Sequence, residues 1–178
     1  MNLKSTLLAL AAVASVSAAN ANIVTVTGAL SNADPSFNRP IEDLSALSSV
    51  GTTVRYDVLE FTVSTSSDYT FLTTALFDPF VILYAPAFTA ATPLTNAQIA
   101  NDDLVSQTTS GFTYALAANT VYRYVTTGFA NTDLGDYSTT IGGIGTISVV
   151  PEASTYAMLA LGLTILGVAR RRSKALSV

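Results

Sequence analysis

Cysteine, histidine and tryptophan are absent from all 178 residues, and only eight residues are basic. Each absence removes a class of chemistry. Without cysteine no disulfide staples the fold, and thiol nucleophiles and Cys/His zinc sites cannot be built. Without histidine there is no Ser-His-Asp triad, so Ser64, Ser66, Ser67 and Ser110 have no imidazole base. Without tryptophan the stronger aromatic platform for stacking on sugars is missing. No Asn-x-Ser/Thr sequon occurs either.

Positive charge is concentrated at the ends. Lys4, Arg170, Arg171, Arg172 and Lys174 leave only Arg39, Arg55 and Arg123 in residues 22–150, against eleven carboxylates, a net charge of −8. Such a body argues against nucleic acid or anionic lipid as partners, since both are bound by clustered Lys and Arg. A body of this length can bury roughly two thirds of its unfolded surface and hold a core without staples.

Both ends read as addresses. Lys4 begins a short positive region, Leu7 to Val16 form an apolar stretch, and Ala19-Asn20-Ala21 make a small-x-small cleavage site. That order is a secretory signal over residues 1–21, with a signal helix and a mature chain starting near Asn22. At the other end Val150-Pro151-Glu152 leads into the apolar run Tyr156 to Ala169, closed by Arg170-Arg171-Arg172 and Lys174. A transmembrane helix over 153–169 is ~26 Å long against a hydrocarbon core of ~30 Å, a short and provisional anchor. The arginines place the C-terminus in the cytoplasm and leave Pro151-Glu152 on the outer side, within reach of a protease. Gly162 and Gly167 are five apart, so they do not make a Gly-x-x-x-Gly pairing face.

Between these ends the pattern is that of strands. Leu59, Phe61 and Val63 alternate with Glu60 and Thr62, Tyr69 and Phe71 flank Thr70, and Phe112, Tyr114 and Leu116 flank Thr113 and Ala115. Period two is the signature of a strand with one buried face. Phe80 to Tyr84 and Val121 to Val125 are apolar or aromatic almost throughout, as central strands covered on both faces are. Seven to nine such strands predict one all-β domain over 22–149, a single antiparallel β-sandwich. The two prolines of Asp34 to Pro40 predict a surface-wrapping loop. Thr92 to Ile99 suggests one helical turn, and Gly142, Gly143 and Gly145 a loosened exit.

Asn101-Asp102-Asp103, with Asp78 or Asp136 from neighbouring loops, offers hard oxygen ligands of the kind Ca²⁺ collects. The same tripeptide is also ordinary turn chemistry, and its spacing matches no EF-hand loop. No catalytic constellation stands out. A glycosidase needs two carboxyls held at a set separation in a cleft, so the chain reads as a non-enzyme. Tyr122 and Tyr124 share a strand face and, with Tyr56, Tyr84 and Tyr137, read as core or rim packing rather than as a sugar platform.

Two resemblances follow from these motifs. Phe77-Asp78-Pro79 through Tyr84, Asn101-Asp102-Asp103, Gly111 to Leu116, Tyr122 to Val125 and Gly135-Asp136-Tyr137-Ser138 together resemble the bacterial pre-peptidase C-terminal type of β-sandwich over roughly 54–141, which implies a jelly-roll-like fold. Val150-Pro151-Glu152, the apolar helix and the arginine cluster, spanning 150–174, resemble the PEP-CTERM sorting signal. That resemblance implies an exosortase as processing partner, transient anchoring, tail cleavage and association with extracellular polysaccharide. The expectation is an exported, non-enzymatic cell-surface or matrix protein. The alternative is a carbohydrate-binding or adhesion module, with calcium-stabilised loops as a variant of it.

Overall fold

The computed structural model describes residues 21–150. The signal segment with Ala19, the motif residues Pro151 and Glu152, the expected helix 153–169 and Arg170, Arg171 and Arg172 lie outside the described residues. Ala21 is the first described residue and opens a strand. No helix among the described residues is long and apolar enough to cross a membrane.

The described chain is all-β and forms two antiparallel sheets. The first has four strands in the order β1 (Ala21–Leu30), β9 (Gly135–Ile144), β4 (Ser67–Ala75) and β7 (Thr109–Leu116). The second runs β10 (Ile147–Val150), β3 (Val54–Val63), β8 (Tyr122–Gly128), β5 (Pro79–Tyr84) and β6 (Ala97–Asn101), with the two-residue β2 (Ser36–Phe37) also paired to β3. The alternation read in the sequence is realised most cleanly in β4, where Tyr69, Phe71 and Thr73 are buried and Thr70, Leu72 and Thr74 exposed.

Two apolar clusters hold these sheets. Phe61, Val81, Leu83 and Tyr124 of the larger sheet meet Tyr69, Phe71, Phe112 and Ile141 of the smaller one. There the Phe71 ring stacks on Tyr124 at 5.3 Å and tilts against Phe112 at 5.1 Å. Burying one such ring contributes about 2–3 kcal/mol. The opposite face of β5, with Phe80, Ile82 and Tyr84, packs beneath Phe37, Tyr56 and Phe88. Hence all six residues of β5 are buried, as its apolar composition predicted. A buried polar line crosses the first cluster: Thr73 Oγ1 lies 2.9 Å from the Tyr124 hydroxyl and 2.8 Å from Thr139 Oγ1.

Three expectations need correction. The Asp34 to Pro40 segment does not merely wrap the surface, because Phe37 and Arg39 are only 5% and 2% exposed and β2 pairs within it. The helical turn expected over Thr92 to Ile99 is absent. Hydrogen-bonded turns Thr89–Thr92 and Thr92–Thr95 lead instead into β6, because Ala97 to Asn101 find a ladder partner in β5. Gly142 and Gly143 lie inside β9 rather than in a loosened exit. At Gly143 the reason is steric: its cross-strand partner Tyr69 lays its ring where a side chain would stand. The Tyr69 hydroxyl in turn reaches the carbonyls of Thr65 (2.9 Å) and Ile144. Only Gly145, at φ +92°, makes the turn into β10.

Candidate metal site and C-terminal sorting segment

One end of the larger sheet gathers most of the chemistry. Asp78 directly precedes β5 and Asp102 directly follows β6, and these strands are antiparallel neighbours with Val81 opposite Asn101. The register therefore brings together two loops far apart in sequence. One carboxylate oxygen each from Asp78, Asp102 and Asp103 lie within 4.8 Å of one another. Asp136, the other third ligand the sequence offers, sits on β9 opposite Ala29 and is not in the cluster.

Asn101 is already used. Its Oδ1 accepts from the Gly111 N–H at 2.9 Å and its Nδ2 donates to Glu42 at 3.1 Å, which ties the β6–β7 connection together. Turn chemistry is thus the observed role of Asn101. It is also the role of Asp34, Asp43 and Asp133, whose carboxylates accept the N–H groups of Ser31 (2.6 Å), Ser45 (3.0 Å) and Ala130 (2.7 Å). Asp78 and Asp102 differ, for each holds a buried Oδ1 with no hydrogen-bond partner among the described residues. A buried acceptor left unpaired costs about 1–3 kcal/mol.

A buried cation stands beside them. Arg39 is buried with its guanidinium 4.0 Å from the Phe80 ring centre and 4.7 Å from that of Phe129. Nε and Nη2 donate to the Phe129 carbonyl at 3.0 and 2.9 Å, and Nη1 to that of Pro40 at 3.0 Å. Burial lowers the Arg39 pKa while the charges of Asp102, Asp78 and Asp133 oppose that shift. The same burial pushes Asp102 up to about 6, with the charges of Asp78 and Asp103 adding to it and Arg39 working against it. Asp78 is raised as well, by burial first and then by Asp103 and Asp133. One fixed cation facing several carboxylates leaves negative charge in excess, and oxygen-only ligands suit a hard divalent cation such as Ca²⁺. The three carboxylates would hold it, with water completing its six to eight ligands. Nothing in a lone arginine between Asn38 and Pro40 announces this burial in the sequence.

The tyrosines follow the packing expectation. Tyr69, Tyr84, Tyr122 and Tyr124 are buried and Tyr56, Tyr114 and Tyr137 partly so, which leaves no described tyrosine fully exposed as a stacking platform. The remaining arginines are engaged too. Arg123 pairs with Glu60 at 2.5 Å across β8 and β3, and Arg55 donates to the Asp34 carbonyl at 2.7 Å.

The last described strand bears on the tail. β10 pairs Val149 with Phe61 and Val150 with Glu60, so ladder pairing continues to the residue just before Pro151. Residues 149–173 match the PEP-CTERM protein-sorting motif. The PEP-CTERM segment thus overlaps β10 by two residues, and no linker separates the folded domain from its sorting signal. The motif marks an exported protein directed to an exosortase. The all-β body is compatible with the pre-peptidase C-terminal resemblance, and no curated relative matches the chain.

Proposed function

We propose that the chain is a non-enzymatic component of the cell surface or extracellular matrix, anchored briefly by its tail, released by an exosortase near Pro151-Glu152, and retained among exopolysaccharide. The carrying observation is the PEP-CTERM segment joined directly to a compact β-domain. The domain itself reads as one jelly-roll-like sandwich: successive strands from β3 to β9 switch sheets at every step except β5 to β6, around a shared core. Mass spectrometry of the protein secreted by its host tests the sorting step. The expected mass lacks the tail, and an intact C-terminus in the secreted protein refutes it. Retention of the processed protein on the host's exopolysaccharide, compared with an uncoated support, tests the matrix step.

A second reading concerns stabilisation. Asp78, Asp102 and Asp103 hold Ca²⁺, which fastens the β4–β5 and β6–β7 connections outside the cell. The unpartnered buried oxygens of Asp78 and Asp102 favour it. Equal thermal unfolding in chelator and in millimolar Ca²⁺ would remove it.

A further inference from the structure

We propose that β1 is a docking edge for a second copy of this chain, two copies pairing their β1 strands antiparallel about a twofold axis through Thr25. β1 closes one side of the four-stranded sheet and runs in unbroken register with β9 from Ala21↔Ile144 to Leu30↔Gly135. It contains no proline, no charged residue and no bulge. Among the described residues, only β9 hydrogen-bonds to the β1 backbone between Asn22 and Leu30, so alternate N–H and C=O groups face outward unpaired. Protein edges are normally blunted by charge, proline, bulges or shortness, and a long edge lacking all four is a template for another strand.

The other edges are short, irregular or partly occupied. On β7, the Gly111 N–H is taken by Asn101 Oδ1 at 2.9 Å and the Thr109 carbonyl by the Leu104 N–H at 2.9 Å. β6 has five residues and its pairing to β5 shifts register at Leu83/Tyr84, while β10 has only four. β7 is also long, regular and uncharged, but part of its edge is taken up by those two bonds; β1 is the longest of these edges, and among the described residues none of its outward groups is used. Its core-facing Val24 and Val26 are also only half-buried, so apolar surface there awaits cover.

The strand selects its own copy. Ile23, Val24, Thr25, Val26 and Thr27 are five successive β-branched residues centred on Thr25. An antiparallel pairing centred there places Val24 opposite Val26 on the core side and Ile23 opposite Thr27 on the outer side. It is the register that opposes all five with one another, and β-branched cross-strand pairs stabilise sheets. Each copy carries the −8 charge of its body, and an uncharged strand is where two copies meet with least repulsion. The contact is isologous, so it consumes both edges and closes as a dimer with an eight-stranded sheet. A single strand pair is a small interface, so the dimer is weak and forms where protein is concentrated.

Sedimentation equilibrium of the processed protein, with amide exchange, tests this. The mass should rise from monomer at ~10 µM towards twice that by ~1 mM, with the amides of Val24 to Thr27 gaining protection in step. Raising salt from ~20 to ~200 mM should increase the dimer fraction, because screening weakens the repulsion between two acidic bodies. Thr25→Lys and Thr25→Glu, at an exposed position, should each keep the fold by circular dichroism and abolish the dimer. An equimolar mixture of the two should restore it. Thr113→Lys, on the exposed face of β7, should leave association unchanged. A monomer at every concentration, association that survives Thr25→Lys, a mixture that does not recover, growth past the dimer, or β1 protection independent of concentration (a strand supplied by the chain itself) would each overturn the proposal.

Discussion

Replacing Asp102 by Asn should stabilise the metal-free protein at neutral pH. Asp102 is pushed up to about 6 from an ordinary 3.8, by burial and by the charges of Asp78 and Asp103. At ~1.4 kcal/mol per unit the displacement sets a ceiling near 3 kcal/mol. The residue is only partly buried, so solvent screening reduces this to about 1–2 kcal/mol. The sign follows from linkage. The folded state binds this proton more tightly than the unfolded chain, so stability is greatest at about pH 4, falls as pH rises to about 6, and stays low above. Thermal unfolding in chelator should therefore show the wild type gaining about 1–4 °C between pH 7 and pH 5, and Asp102→Asn starting higher at pH 7 with less change. Adding millimolar Ca²⁺ should reverse the order, since a ligand bound only by the folded state stabilises it and the variant has lost one carboxylate. A variant less stable than wild type at pH 7 in chelator would show that favourable contacts hold the carboxylate, contrary to the unpartnered Oδ1.

Four further outcomes follow. Thr73→Val leaves the buried hydroxyls of Tyr124 and Thr139 without their shared partner and should cost about 2–4 kcal/mol, read by urea unfolding. Tyr124→Phe should cost less, about 1 kcal/mol, because Thr73 and Thr139 still bond each other. Gly143→Ala drives a methyl into the tethered Tyr69 ring and should destabilise by about 1–3 kcal/mol, whereas the same change at Gly142, where a methyl would make only ordinary contact with Ile23, should cost much less by the same assay. Arg39→Lys keeps the charge but loses the paired donation to the Phe129 carbonyl and the stacking on two rings, and calorimetry should show a loss of about 2–3 kcal/mol.

Local chemistry made much of this protein legible. The alternation in β4 and the unbroken apolar run of β5 identify strands because a side chain's face depends only on its position along a pleat. The PEP-CTERM segment was readable for a similar reason, being recognised as a short contiguous string. Thr92 to Ile99 misled because turn residues and a helical start look alike until β5 supplies a ladder for Ala97 to Asn101. Gly143 misled because its need for no side chain comes from Tyr69, on another strand.

The candidate site divides along the same line. Asp102 and Asp103 are legible as adjacent acids, yet sequence alone makes Asp78 and Asp136 equal as a third ligand. The pairing of β5 with β6 brought in Asp78, and the position of Asp136 on β9 left it out. Export, the acidic body, the strand-rich composition and the exclusion of thiol and imidazole chemistry were fixed by residue identity alone, because each depends on which groups are present and in what local order. The burial of Arg39, the closing of the carboxylate cluster and the exposure of the β1 edge were decided by tertiary structure, because each depends on which distant strands come to lie side by side.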